Sequence, residues 1–156
     1  VRTSAMLYMI VIGANVLNPF LAITDIPLAL SEMLTHLGLG PYGTLTAILL
    51  SYVVLGMFLD GLAMLVVTVP IYYPVILALG FDPIWFGVIA VIVIEMGMIP
   101  PPVGLNVFVV RGVAGGVPLT TIFGGVLPFL LAMIITLLLI ILIPGIALLI
   151  PNSMFG

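Results

Sequence analysis

The stretch IWFGVIAVIVIEMGMIPPPVGLNVFVVRGVAG, residues 84–115, decides the fold. Up to Ile99 it carries one ionisable side chain, Glu95, and beyond Pro102 it carries one more, Arg111. Between the two apolar runs stand Pro100, Pro101 and Pro102. Each proline lacks the N–H that would have bonded the carbonyl four residues earlier. If the first run is helical, the carbonyls of Met96, Gly97 and Met98 are therefore freed in turn. They form a helix C-terminus, which carries partial negative charge. Pro102 suits the first position of a new helix, whose positive end would present the N–H groups of Val103, Gly104 and Leu105. Gly97 and Gly104 allow another backbone or a ligand to come close.

Two geometries fit this stretch. One is a single kinked helix, about 48 Å long at 1.5 Å per residue, which is long for a hydrocarbon core of roughly 30 Å. The other is a re-entrant hairpin over 84–115 with arms of about 24 and 20 Å, which reach the membrane midplane and return. Three consecutive prolines favour the reversal. Backbone at that depth persists only where protein or a water-filled cavity satisfies it, and broken helices of this kind hold substrate and ions in secondary transporters.

A membrane setting follows from composition. Of 156 residues, 65% are hydrophobic and 4% are charged, against roughly 45–50% and about 25% in soluble domains. So few charges cannot cover a water-facing surface. The absence of cysteine excludes disulfides and thiolate chemistry. A single histidine builds no metal cluster, no cofactor is implied, and two arginines make no nucleic-acid patch. With so few polar groups no nucleophile–base set exists, so an enzyme is not expected. The expected fold is an all-α integral membrane protein, a transmembrane helix bundle with a re-entrant helical hairpin.

Judged by about 20 apolar residues per crossing, spans are expected near 3–21, 41–59, 62–79 and 121–143. Residues 24–37 carry Asp25, Glu32 and His36 among leucines and read as an amphipathic interfacial helix. Trp85 fits an interface anchor, and Pro144 and Pro151 punctuate a short apolar tail. The first apolar stretch runs straight into others and is not a signal peptide. Beginning at Val1, the chain reads as a piece of something longer.

The runs LGMFLDG (55–61), PIYYPVILALGFDPIWFGV (70–88) and EMGMIPPPVGLNVFVVRGVA (95–114) resemble the large membrane subunit of TRAP transporters, the tripartite ATP-independent periplasmic transporters or DctM family. The likeness continues through Val117-Pro118, Leu127-Pro128-Phe129, Pro144 and Pro151. PPVGLNVFVV after LGFDPIWFGV is its most specific element. The resemblance implies import of small organic acids, a C4-dicarboxylate or similar, across the bacterial inner membrane by a multi-pass protein coupled to Na⁺. It implies a periplasmic substrate-binding protein (DctP-like) and a small membrane subunit (DctQ-like) as partners. It also implies two inverted repeats, each with a hairpin, a transport domain that moves as an elevator, and this chain as about the C-terminal third. One departure stands out: the family commonly has Thr before PPVG, where this chain has Pro100. That removes a hydroxyl able to ligate an ion and leaves backbone coordination intact. Alternative readings are a Na⁺/dicarboxylate symporter of the same superfamily without a binding protein, and a non-transporting membrane scaffold.

The candidate substrate and ion site comprises Met96, Gly97, Met98, Pro101, Gly104 and Asn106, with Na⁺ on the backbone of Met96, Gly97 and Met98, and Ser51 and Asp60 behind it. Asp60 is equally suited to capping the helix that starts at Leu62, and Ser51 to bonding back onto its own helix. Asn106 can form an interhelical hydrogen bond instead. Glu95 is costly inside a span, by about 2.5–3.5 kcal/mol for a charged residue. In a hairpin Arg111 lies roughly 6 Å away along the axis, so a Glu95–Arg111 ion pair is expected. The competing arrangement has Arg111 snorkelling to the interface.

Overall fold

The computed structural model describes residues 38–101 and 104–155 together with scattered positions before residue 38; the expected span over 3–21 and the amphipathic helix over 24–37 lie outside the described residues. Among the described residues six helices form and no strand: α1 (Gly40–Gly56), α2 (Gly61–Ala78), α3 (Pro83–Gly97), α4 (Leu105–Val113), α5 (Leu119–Leu142) and α6 (Gly145–Phe155).

The helix ends follow from local chemistry. Gly40 at φ 68° leads the chain into α1, with Pro41 in its first turn. Asp60 caps α2, its Oδ2 accepting from the Leu62 N–H at 3.2 Å. Asp82 caps α3, its Oδ1 accepting from Ile84 at 2.8 Å and Trp85 at 3.0 Å, ahead of Pro83 at the first position. α2 ends in a Schellman motif: Gly80 turns left-handed at φ 79°, Phe81 N–H bonds the Ile76 carbonyl at 3.1 Å and Gly80 N–H the Leu77 carbonyl at 3.0 Å.

α1 and α3 run parallel. Tyr42 meets Phe81 edge-on at 5.4 Å near their starts, and Gly56 meets Gly97 at their ends. α2 runs opposite to both, bringing Gly61 against Ile94 and Met98 at one end of the bundle and Leu79 beside Gly40 and Thr44 at the other. α5 is antiparallel to α3, with Ile140 beside Trp85 and Phe123 beside Gly104. The core therefore lies around α3, whose Phe86, Ile89, Ala90, Val93 and Ile94 are buried against Ile48, Tyr52, Met64, Val75 and Ile76.

α2 and α5, of 18 and 24 residues, are long and apolar enough to cross a membrane; α1, α3 and α6 are apolar but shorter. The tail expected after Pro144 is helical, as α6, and packs on α3 and α5. Trp85, expected at an interface, is instead buried. Its indole N–H donates to the Ile140 carbonyl at 2.9 Å. That carbonyl is left open because residue 144, which would have bonded it in a continuing helix, is proline.

Candidate functional site

Four helix termini converge at one end of the bundle: the C-terminal ends of α1 and α3 and the N-terminal ends of α2 and α4. Gly56 of α1 and Gly97 of α3 meet there. A Cβ built on Gly56 would stand 2.9 Å from the Gly97 Cα, and one on Gly97 would stand 3.1 Å from the Gly56 Cα and from the carbonyl oxygens of Tyr52 and Val53. Two backbones thus touch, as only glycine permits. Around this contact lie the residues that the break disposes.

The helix does break where the prolines stand. α3 stops at Gly97 and α4 starts at Leu105, three residues later than a helix opened by Pro102 would begin; Pro102 and Val103 lie outside the described residues. Gly104 is the cap of α4 in the left-handed region, φ 55° and ψ 59°, and its carbonyl receives the N–H groups of Val107 and Phe108 at 2.9 and 3.0 Å. A Cβ there would come within 2.9 Å of the Ile99 carbonyl oxygen.

Of the three carbonyls expected to be free, two accept long hydrogen bonds. Met96 takes the Ile99 N–H and Met98 takes the Asn106 N–H, each at 3.3 Å. The chain loops back on itself in both cases, which helical counting does not foresee. Among the described residues only the Gly97 carbonyl of the three receives no N–H. A carbonyl oxygen has two lone pairs, so Met96 and Met98 retain acceptor capacity. Met96, Gly97, Met98 and Gly104 are buried, Asn106 is half-buried and Pro101 is exposed.

Beside the break, a cavity of about 270 Å³ is lined by Asp60, Gly61, Leu62, Leu65, Val91, Ile94, Glu95 and Met98. It brings together Asp60, Glu95 and Met98 from opposite ends of the sequence reading. Glu95 and Arg111 are not brought together. Both are exposed, and among the described residues no ion pair joins them. The reason is packing: α4 lies against α5 and not against α3, so equal height along a shared axis does not make the two residues neighbours. A second cavity of about 270 Å³, lined by Ile99, Pro100, Pro101, Phe123, Leu127 and Leu130, separates the break from α5.

The Ser51 hydroxyl has its partners on α1 and α2. It donates to the Ile48 carbonyl at 2.7 Å, the back-bonding alternative, and also pairs with the Tyr72 hydroxyl at 2.7 Å. One turn further in, the buried Thr68 hydroxyl lies 2.9 Å from the Tyr52 hydroxyl and 2.7 Å from the Met64 carbonyl. These four side chains form a polar seam between α1 and α2 that the sequence reading passes over, because hydroxyls spaced along two helices carry no motif. Gly56 carries no motif either. A lone glycine inside an apolar run carries no sign of the helix it will meet.

Comparison with known proteins bears on what this end of the bundle does. The family described as "Tripartite ATP-independent periplasmic transporter, DctM component" matches residues 1–146. The chain is 34% identical over 151 residues to the C4-dicarboxylate TRAP transporter large permease protein DctM of Pseudomonas aeruginosa, covering 97% of this chain and 35% of that protein. It is 35% identical over 156 residues to the sialic acid TRAP transporter large permease protein SiaM of Vibrio cholerae, covering 100% and 36%. With the ectoine TRAP transporter large permease protein TeaC of Halomonas elongata it shares 28% over 152 residues, covering 97% and 35%. The chain thus spans about a third of the length of these curated relatives. They are transporter permeases and not enzymes, in keeping with the polar groups present. On this match, which runs through the proline break and the glycine contact beside it, the chain belongs to the DctM family of TRAP transporter permease components.

Proposed function

We propose that this chain forms part of the large membrane subunit of a Na⁺-coupled TRAP transporter in the bacterial inner membrane, importing a small organic acid of the C4-dicarboxylate kind. The acid is delivered by a periplasmic substrate-binding protein (DctP-like), and a small membrane subunit (DctQ-like) supports the large one. The proline break is the tip of a re-entrant hairpin with splayed arms, in one half of an inverted repeat. Na⁺ binds there on the backbone oxygens of Met96, Gly97 and Met98, with Asn106 and Gly104 facing the substrate across the tip.

The observation that carries this reading is the break itself, at the meeting point of four helix termini in a membrane bundle. Hard carbonyl oxygens at a helix C-terminus suit a monovalent cation, and helix N-termini suit a carboxylate. Membership of the family supports the transport role.

The test is uptake by the full-length subunit with its partners in proteoliposomes. Inward Na⁺ and an added binding protein should each be required for accumulation of a labelled C4-dicarboxylate. Equal uptake with potassium in place of sodium sinks the coupling. Uptake without the binding protein points to a two-component symporter instead.

A further inference from the structure

The Gly56–Gly97 contact joins two helix backbones directly, and it stands immediately behind the proposed ion-binding carbonyls. We infer that Gly56, together with Gly97, is a positioning residue for that site: the contact seats the C-terminal end of α3 on α1 and so fixes where the carbonyls of Met96, Gly97 and Met98 point. The inference rests on the Na⁺ reading above and extends it to a residue on another helix, which would itself contribute no ligand.

Three observations carry it. First, the contact is backbone on backbone. Hypothetical Cβ atoms meet Cα, carbonyl carbon and carbonyl oxygen at 2.9–3.1 Å, and no side chain can swing aside to make room. A methyl group there forces α1 and α3 apart by several tenths of an ångström. Second, no structure between the contact and the break dampens that shift, since α3 ends at Gly97 itself and its cap is Met98. Displacement at Gly97 is displacement of the ligands. Third, the other end of α3 is fixed separately by the Trp85 indole on the Ile140 carbonyl. The helix therefore pivots about its N-terminal end instead of translating.

Neighbouring glycines supply a graded control. A Cβ on Gly87, also in α3, meets nothing within 4 Å. The three atoms nearest to one on Gly61 belong to side chains and not to backbone, Ile94 at 3.2 Å and the flexible Met98 at 3.4 and 3.6 Å.

The experiment measures binding of radioactive sodium to the purified full-length assembly in detergent, which needs no knowledge of the acid. Gly56→Ala and Gly97→Ala should each raise the half-saturating sodium concentration about tenfold, a sub-ångström misplacement being milder than the 10²-fold expected for about 1 Å. The number of ions bound at saturation should be unchanged, which a loss of folded protein would not leave unchanged. Gly87→Ala should match the wild type, and Gly61→Ala should fall between. Wild-type protein that binds no sodium overturns the Na⁺ reading itself. Sodium binding in the wild type with unaltered half-saturation in folded Gly56→Ala or Gly97→Ala overturns the positioning role alone. So does failure of both variants to fold while Gly61→Ala and Gly87→Ala fold normally, because the pair is then a packing contact and nothing more.

Discussion

The indole N–H of Trp85 donates to the carbonyl oxygen of Ile140 across the interface of α3 and α5, at 2.9 Å. Pro144 cannot supply the N–H that this carbonyl lacks, and Trp85 on a different helix does. Trp85→Phe keeps most of the ring volume and orphans a buried acceptor, so it should destabilise the folded subunit by about 1–3 kcal/mol. Thermal unfolding of the purified protein in detergent reads this directly. An unchanged midpoint would mean that water reaches the Ile140 carbonyl.

The polar seam between α1 and α2 makes a quantitative prediction. The Tyr52 hydroxyl has Thr68 as its partner, whereas the Thr68 hydroxyl also has the Met64 carbonyl. Thr68→Val should therefore cost more than Tyr52→Phe. A double-mutant cycle should give a coupling near the membrane-protein average of about 0.6 kcal/mol. Additive single effects would remove this pair as a register device.

At Gly104 two independent penalties coincide. Its φ of 55° is left-handed, which costs an L-residue roughly 1–2 kcal/mol, and a Cβ would lie 2.9 Å from the Ile99 carbonyl oxygen. Gly104→Ala should lower uptake by the full-length transporter by roughly 5–30-fold, the factor that 1–2 kcal/mol carries in a conformational equilibrium. D-alanine at the same position, introduced by semisynthesis, suits the positive φ and carries no methyl where the Ile99 oxygen stands, so it should recover part of the loss.

Glu95 and Arg111 should behave as independent residues. Glu95→Gln and Arg111→Gln, measured singly and together by thermal unfolding, should add to within about 0.3–0.5 kcal/mol. A larger coupling would restore the ion pair that splayed arms deny.

Asp60 separates capping from charge. Asp60→Ala should cost about 1 kcal/mol of stability through loss of the bond to Leu62 N–H, and Asp60→Asn very little, because asparagine caps as well as aspartate. Equal loss in both would show that the carboxylate charge, beside Glu95 in the shared cavity, matters more than the cap.

What could be read from the sequence was largely what prolines, glycines and aspartates dictate one turn at a time. Asp60-Gly61 and Asp82-Pro83 open helices, Gly80 closes one, and Pro100 to Pro102 stop one. Of the candidate site only the break in the helix was legible in this way. Relations between helices were not. Axial height pairs Glu95 with Arg111, while the acidic residue that shares its cavity is Asp60. Helical counting leaves Met98 free because its partner is proline, yet the chain curls back to offer Asn106 N–H. Pro144 and Pro151 make the tail look broken, yet it forms a helix. Pro144 precedes α6, and only Pro151 lies within it.

Burial divides the helices sharply. Eight of the 15 residues of α3 are buried within this chain, against two of the 24 in α5. Exchange of one aliphatic side chain for another is therefore a different event in the two. Along α3 almost every methyl group has neighbours on several sides, and a saturation library would be purged there to a few permitted shapes. Along the outer side of α5 the same exchanges alter only what the surroundings of the chain must accommodate. Sequence drift among functional variants should accordingly pool in α5 and leave α3 nearly still.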